Sequence, residues 1–96
     1  MPAYVIADVE VQDAEAYREY QQHARDTIAL YGGRFIVRGG KTETLEGDWH
    51  PHRVVMMEFP TLERAKEWYS SPEYQVIIPI RQRNARTHFL SVMEGA

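Results

Sequence analysis

Arg38, with Gly39 and Gly40 directly after it, has the clearest chemical use in this 96-residue chain. A guanidinium holds a carboxylate through two parallel hydrogen bonds. Glycine lets a ligand come close to the backbone. The same glycine pair also suits an irregularity in a strand, so both readings stand. Seven further residues are candidates to converge on Arg38: Tyr17, Tyr20, Trp49, Trp68, Tyr69, Tyr74 and Arg81. Aromatic walls with arginines suit a planar organic acid, whose ring stacks while its carboxylate pairs. The competing use for each aromatic is core filling with the polar tip turned to water, the usual role of such residues at helical spacing.

For acid–base chemistry the candidates are His88, with Tyr17 and Tyr20 as proton donors. His88 falls on a strand and, in a sheet of order 4-1-3-2, comes near Asp8 or Glu58. A carboxylate there orients an imidazole, and a structural ion pair across a subunit interface is the favoured account. His23 sits near the edge of a helix's apolar face, where exposure is expected and a haem-ligand role is the alternative. Asp48, His50 and His52 are metal ligands by type, but alternate residues of an extended loop point apart and no His-x-x-x-His spacing supports them. They read as a solvated loop, and no metal or cofactor is expected. Arg81, Arg83 and Arg86 form a local basic run that suits a surface turn. Gly-x-Ser-x-Gly is absent, and neither glycine pair precedes the helix start and lysine of a phosphate loop.

Hydropathy periods define the elements that position these residues. Tyr4 to Val11 alternates as a strand. Asp13 is placed to cap a helix over 14–31, with Glu15 at the positive end of its dipole and Gly32-Gly33 closing it. Arg34 to Arg38 is a second strand, with residues 41–45 as a further extended piece. A loop over 46–52 leads to a third strand, Arg53 to Phe59. Pro60 stops that strand, and Thr61 caps a helix bearing Leu62, Ala65, Trp68 and Tyr69 on its apolar side. Ser71 and Pro72 start a shorter helix, which Pro79 must kink or end. Arg86 to Glu94 is the fourth strand.

The order β-α-β-β-α-β in one short domain, 1–96, predicts an α+β, ferredoxin-like sandwich: a four-stranded antiparallel sheet with both helices on one face. Counting by twos places Val5, Ala7, Val9, Phe35, Val37, Val55, Met57, Phe59, Phe89, Ser91 and Met93 under the helices. The bare face then carries Tyr4, Ile6, Asp8, Arg34, Ile36, Arg38, Val54, Met56, Glu58, His88, Leu90 and Val92. A patch with so many large aliphatics marks an interface, and a two-fold pairing of such faces is self-complementary. A homodimer is therefore expected.

Composition narrows the classes of function. There are no cysteines, which removes disulfides, zinc–thiolate sites and thiol nucleophiles. A net charge of −3 argues against a general nucleic-acid binder. No apolar run is long enough to span a membrane, and the first residues read as a strand with no basic or apolar leader segment. A cytoplasmic location is the expectation.

Several stretches together resemble the domain of unknown function family numbered 1330: Met1 to Ala7, Tyr31 to Gly40, Leu45 to Trp49, Glu58-Phe59-Pro60 and Trp68 to Tyr74. The resemblance spans nearly the whole chain. It implies a ferredoxin-like fold of the dimeric α/β-barrel superfamily, in which two sheets face each other with helices outside. It implies no particular reaction, and relatives of that superfamily include cofactor-free monooxygenases, lactone isomerases, haem-handling enzymes and stress-response proteins. The resulting expectation is a small-molecule-binding dimer, with metal-free catalysis on an aromatic or carboxylate compound as its enzymatic form. A non-catalytic structural or regulatory dimer and a haem-handling protein are the alternatives.

Overall fold

Three of the four helices start at a residue whose side chain accepts from a free N–H of the first turn. A computed structural model describes all residues 1–96. β1 (Ala3–Val11) leads into α1 (Ala14–Leu30), where Asp13 Oδ1 accepts from the Ala16 N–H at 3.0 Å. At the other end of α1, Gly32 takes φ +79° and donates to the Ala29 carbonyl while Gly33 donates to that of Ile28. That pair of bonds satisfies carbonyls the helix would otherwise leave open. β2 (Arg34–Arg38) and β3 (Arg53–Phe59) follow, then α2 (Leu62–Ser70) capped by Thr61. Ser71 and Pro72 begin α3 (Pro72–Gln75), α4 is Ile78–Asn84, and β4 is Ala85–Glu94. Two expectations change here. Residues 41–45 pair with no strand. Pro79 neither kinks nor ends a helix: it sits in the first turn of α4, where its missing N–H costs nothing.

The sheet is antiparallel throughout, in the order β2-β3-β1-β4, with the helices on one face. Val5, Ala7, Val9, Met57 and Phe59 lie buried beneath them with Trp68 and Tyr74. Trp68 is 1% exposed and donates its indole N–H to Thr27 Oγ1 at 3.0 Å, so its one polar atom is satisfied inside the core.

Two β-bulges, one on each edge strand, revise the parity count. In β2 the pairing passes from Phe35↔Met57 to Val37↔Met56, so Ile36 is the extra residue. From there the alternation reverses. Val37 joins the helix-free face, and Arg38, opposite Val55, turns toward the helices. In β4 the pairing passes from Phe89↔Asp8 to Thr87↔Val9, with His88 the extra residue. Phe89, Ser91 and Met93 therefore share the open face with Asp8, Ile6 and Tyr4, against the count by twos. Leu90 and Val92 lie on the helix side, opposite Ala7 and Val5. His88 is on the open face as expected, beside Asp8 and Glu10; Glu58 lies at the far end of β3.

Candidate functional site

A cavity of about 370 Å³ opens between α1, α4 and the helix side of the sheet. Its chemistry is one-sided. Arg18, Arg25, Arg38, Arg53 and Arg81 line it, and no aspartate or glutamate does. Tyr17, Tyr20 and Tyr74 form aromatic walls, and Ala7, Val55 and Leu90 of the sheet form much of the floor. The β2 bulge brings Arg38 here, where its guanidinium lies 5.3 Å from the Phe35 ring centre. Arg53 arrives from the first position of β3, opposite Val9. Gly39, at φ +72°, makes room for it: any Cβ there would collide with the Arg53 guanidinium.

Arg81, on α4, is the least compensated of these groups. It is 5% exposed, and its Nε and Nη1 have no hydrogen-bond partner. Its guanidinium carbon stands 6.0 Å from the centre of the Tyr20 ring. A buried cation with unpaired donors is costly unless something anionic joins it. The tyrosines beside it are built to stay neutral. Tyr20 and Tyr74 share a hydrogen bond of 2.6 Å between their hydroxyls. Burial is the chief cause that raises the pKa of Tyr17 and Tyr74 and carries that of Tyr20 well above the ordinary phenol value, against the pull of Arg81. Neutral phenols can donate hydrogen bonds at neutral pH and are poor bases.

Of the residues singled out from the sequence, the cavity gathers Tyr17, Tyr20, Arg38, Tyr74 and Arg81. Trp68 is in the core and Tyr69 is exposed outside. Trp49 lies across the sheet, against Phe89 and hydrogen-bonded to Asp8. His23 is exposed on α1 and does not line the cavity. Arg53 was not among the sequence candidates; its place at the first position of a strand, just after a long loop, was the available signal.

A second cluster lies on the opposite face. The 46–52 loop is exposed to solvent along nearly its whole length, as expected, yet it folds back over the ends of β1 and β4. Trp49 Nε1 donates to Asp8 Oδ2 at 3.1 Å, and the His52 backbone N–H donates to Oδ1 at 2.9 Å. Asp8 is thereby 2% exposed, roofed by one layer of loop rather than embedded in protein. Burial pushes its carboxyl pKa up. The two hydrogen bonds and the nearby His52 and His88 outweigh that and hold it below the ordinary value. His52 and His88 stack face to face, centres 4.4 Å apart. Both rings point Nε2 at Glu10 Oε1, His88 at 2.9 Å and His52 at 3.5 Å. The His88 hydrogen bond is the main cause that lowers the Glu10 carboxyl.

The family model described as "Domain of unknown function (DUF1330)" matches residues 2–96, and the chain belongs to that family. No curated protein matches it. Among solved structures, a protein of unknown function from Rhodopseudomonas palustris is 22% identical, with a TM-score of 0.74 over 99% of this chain and 82% of that one. SnoaB, a cofactor-independent oxygenase from Streptomyces nogalater, is 9% identical, with a TM-score of 0.72 over 99% and 93%. A dimeric protein of unknown function and ferredoxin-like fold from Bacteroides fragilis is 12% identical, with a TM-score of 0.55 over 98% and 95%. These likenesses establish the ferredoxin-like fold. No helix is long and apolar enough to cross a membrane.

Proposed function

We propose that this member of the DUF1330 family is a homodimeric binding protein for a small aromatic carboxylate, held in the arginine-lined cavity beneath α1. The observation that carries the reading is Arg81: buried, without a partner for two of its nitrogens, in a cavity whose charged side chains are all cationic. A carboxylate would pair with Arg81 or Arg38, and its ring would stack among Tyr17, Tyr20 and Tyr74. The volume suits a compound of one or two rings. In the catalytic form of the proposal, the neutral Tyr20–Tyr74 pair donates a hydrogen bond to the ligand without a metal. The likeness of the fold to a cofactor-independent oxygenase is in keeping with that form. His88 has no part in it, because it stands on the other face of the sheet.

The dimer is proposed to form through the helix-free face. Met93, Ile36 and Trp49 are exposed there, at 46%, 40% and 44%, beside half-buried Tyr4, Ile6, Met56 and Phe89. Two copies each burying ~800 Å² would make an interface of standard size. Sedimentation showing only single chains at micromolar concentration would remove the dimer from the proposal.

A thermal-shift screen with benzoate, salicylate and their uncharged amides tests the ligand class. The carboxylates should raise the melting temperature by mass action and the amides should not. Arg38→Ala should weaken carboxylate binding by ~1.5–3 kcal/mol while leaving the assembly unchanged. Equal shifts with acids and amides, or an unchanged affinity in Arg38→Ala and Arg81→Met alike, would overturn the assignment.

A further inference from the structure

We propose that Glu10, His52 and His88 form a binding site for a divalent transition-metal ion of the zinc, copper or nickel type. The site lies on the helix-free face and is separate from the arginine cavity. One carboxylate and two imidazoles are a donor set that these ions favour over magnesium or calcium. The ligand atoms lie within 4.8 Å of one another. In a tetrahedral site with metal–ligand bonds near 2.0–2.1 Å, neighbouring ligand atoms are about 3.4 Å apart. The two contacts to Glu10 Oε1, at 2.9 and 3.5 Å, straddle that spacing.

The surroundings bear on a cation here chiefly through Asp8. Asp8 lies behind His52, with Oδ2 3.7 Å from Nδ1. Its negative charge is fixed in place by Trp49 and by the His52 backbone N–H. At 3.7 Å Asp8 and the His52 ring are not hydrogen-bonded, and Asp8 favours a cation here through its charge. Asp8 and Glu10 place two carboxylates beside the imidazoles, set against Arg86, which opposes Glu10 across the strand pair, and against Arg18 and Arg53 on the neighbouring groove wall. Glu10 and His52 also edge this open groove of about 520 Å³.

The arrangement also sets what must change on binding. Stacked rings run their Nε2 lone pairs side by side, so one ring must swing out of the stack to share an ion. His52 and His88 side chains are 41% and 30% exposed, which leaves room for that rotation. The proton shared between His88 and Glu10 would leave as the metal enters.

The test is calorimetry on tag-free protein stripped with a chelator, titrated separately with ZnCl₂ and MgCl₂. Zinc should bind at one ion per chain with micromolar or tighter affinity, and magnesium should give no saturable heat. His88→Ala and Glu10→Gln should each weaken zinc at least tenfold. Far-UV circular dichroism of the metal-free variants shows whether they fold. If one does not, electron paramagnetic resonance of the Cu²⁺-loaded wild-type protein decides, with coupling to two imidazole nitrogens expected. Absence of saturable zinc binding would overturn the site. So would wild-type affinity in a folded His52→Ala/His88→Ala double variant, or copper coupled to fewer than two imidazoles.

Discussion

The two faces of the sheet carry opposite charge and treat it differently. Beneath the helices, Arg38, Arg53 and Arg81 line a cavity without an acidic partner, and Arg81 keeps two nitrogens unpaired. On the open face, Asp8 and Glu10 meet His52, His88 and the Trp49 indole, and the Asp8 carboxylate accepts two hydrogen bonds. Compensated charge on one face is part of what holds the loop to the sheet. Uncompensated charge on the other is a cost carried by the fold, of the kind that binding sites retain. The same four strands make both arrangements, because each edge strand bulges once and re-aims the residues that follow.

The largest effect should come from cutting the compensated side. Asp8→Ala removes the acceptor for Trp49 Nε1 and for the His52 N–H. The expected loss is about 2–3 kcal/mol, since each hydrogen bond to a charged group contributes about 1.5–3 kcal/mol and the exposed indole can recover part by turning to water. Urea unfolding measures it, and Trp49 fluorescence should shift toward that of a solvated indole. A loss below ~0.5 kcal/mol would mean that the loop does not rest on Asp8.

The matching cut on the cavity side should have the opposite sign. Arg81→Met keeps the unbranched apolar stem and removes a buried charge with unpaired donors. Unfolding free energy should rise by about 1–2 kcal/mol, as it does when buried charge gives way to well-packed apolar groups. Binding of the carboxylates should fall in the same variant. Destabilisation instead would show that Arg81 has compensation inside the protein, and the contrast between the faces would fail.

How much of this contrast was legible in the sequence depends on which rule each residue obeys. Local rules were readable. Asp13, Thr61, Ser71 and Pro72 announce helix starts through their own side chains, and β2 and β3 have the bounds that alternation sets. The bulges were not readable, because counting by twos assumes unbroken pairing. In β4, Phe89 and Leu90 are both apolar, so no polar marker revealed the slip. In β2 the glycines at 39 and 40 hinted at irregularity, but the extra residue is Ile36, upstream of them. Arg38 was singled out for its chemistry and assigned to the open face by its parity; the bulge places it in the cavity. His52 joins Glu10 and His88 across long sequence separations, which loop composition does not encode.

pH should separate the faces with smaller effects near neutrality. Asp8 and Glu10 have folded values below their ordinary ones, so their stabilisation is present above the unfolded carboxylate range near pH 4 and is lost as pH falls through the folded values. Tyr17, Tyr20 and Tyr74 have folded values above the ordinary phenol value near 10. Below pH 10 both states keep the phenolic proton and nothing is lost. Above it the unfolded chain ionises first, and stability falls as pH rises toward the folded values. Melting temperatures across pH 2–12 should therefore decline at both ends. Asp8→Asn should flatten the acid limb, and Tyr20→Phe the alkaline limb. If either variant leaves its own limb unchanged, that face's pH response lies elsewhere.

The smallest effect tests whether compensation matters when water is near. Arg34 and Glu58 pair at 2.9 Å on the open face, with the arginine side chain 69% exposed. Solvent screens such a pair, and exposed ion pairs contribute about 0.2–1 kcal/mol. Arg34→Ala should therefore cost no more than that in dilute, single-chain conditions, and high salt should erase most of it. If the proposed dimer covers this face, the same substitution should cost more as protein concentration rises, because the pair would then lose its water. Melting curves of wild type and variant over a hundredfold range of concentration distinguish the two cases. A small, concentration-independent difference would leave this pair outside any interface. The polar cluster around Asp8 would then be the main charged device on the open face.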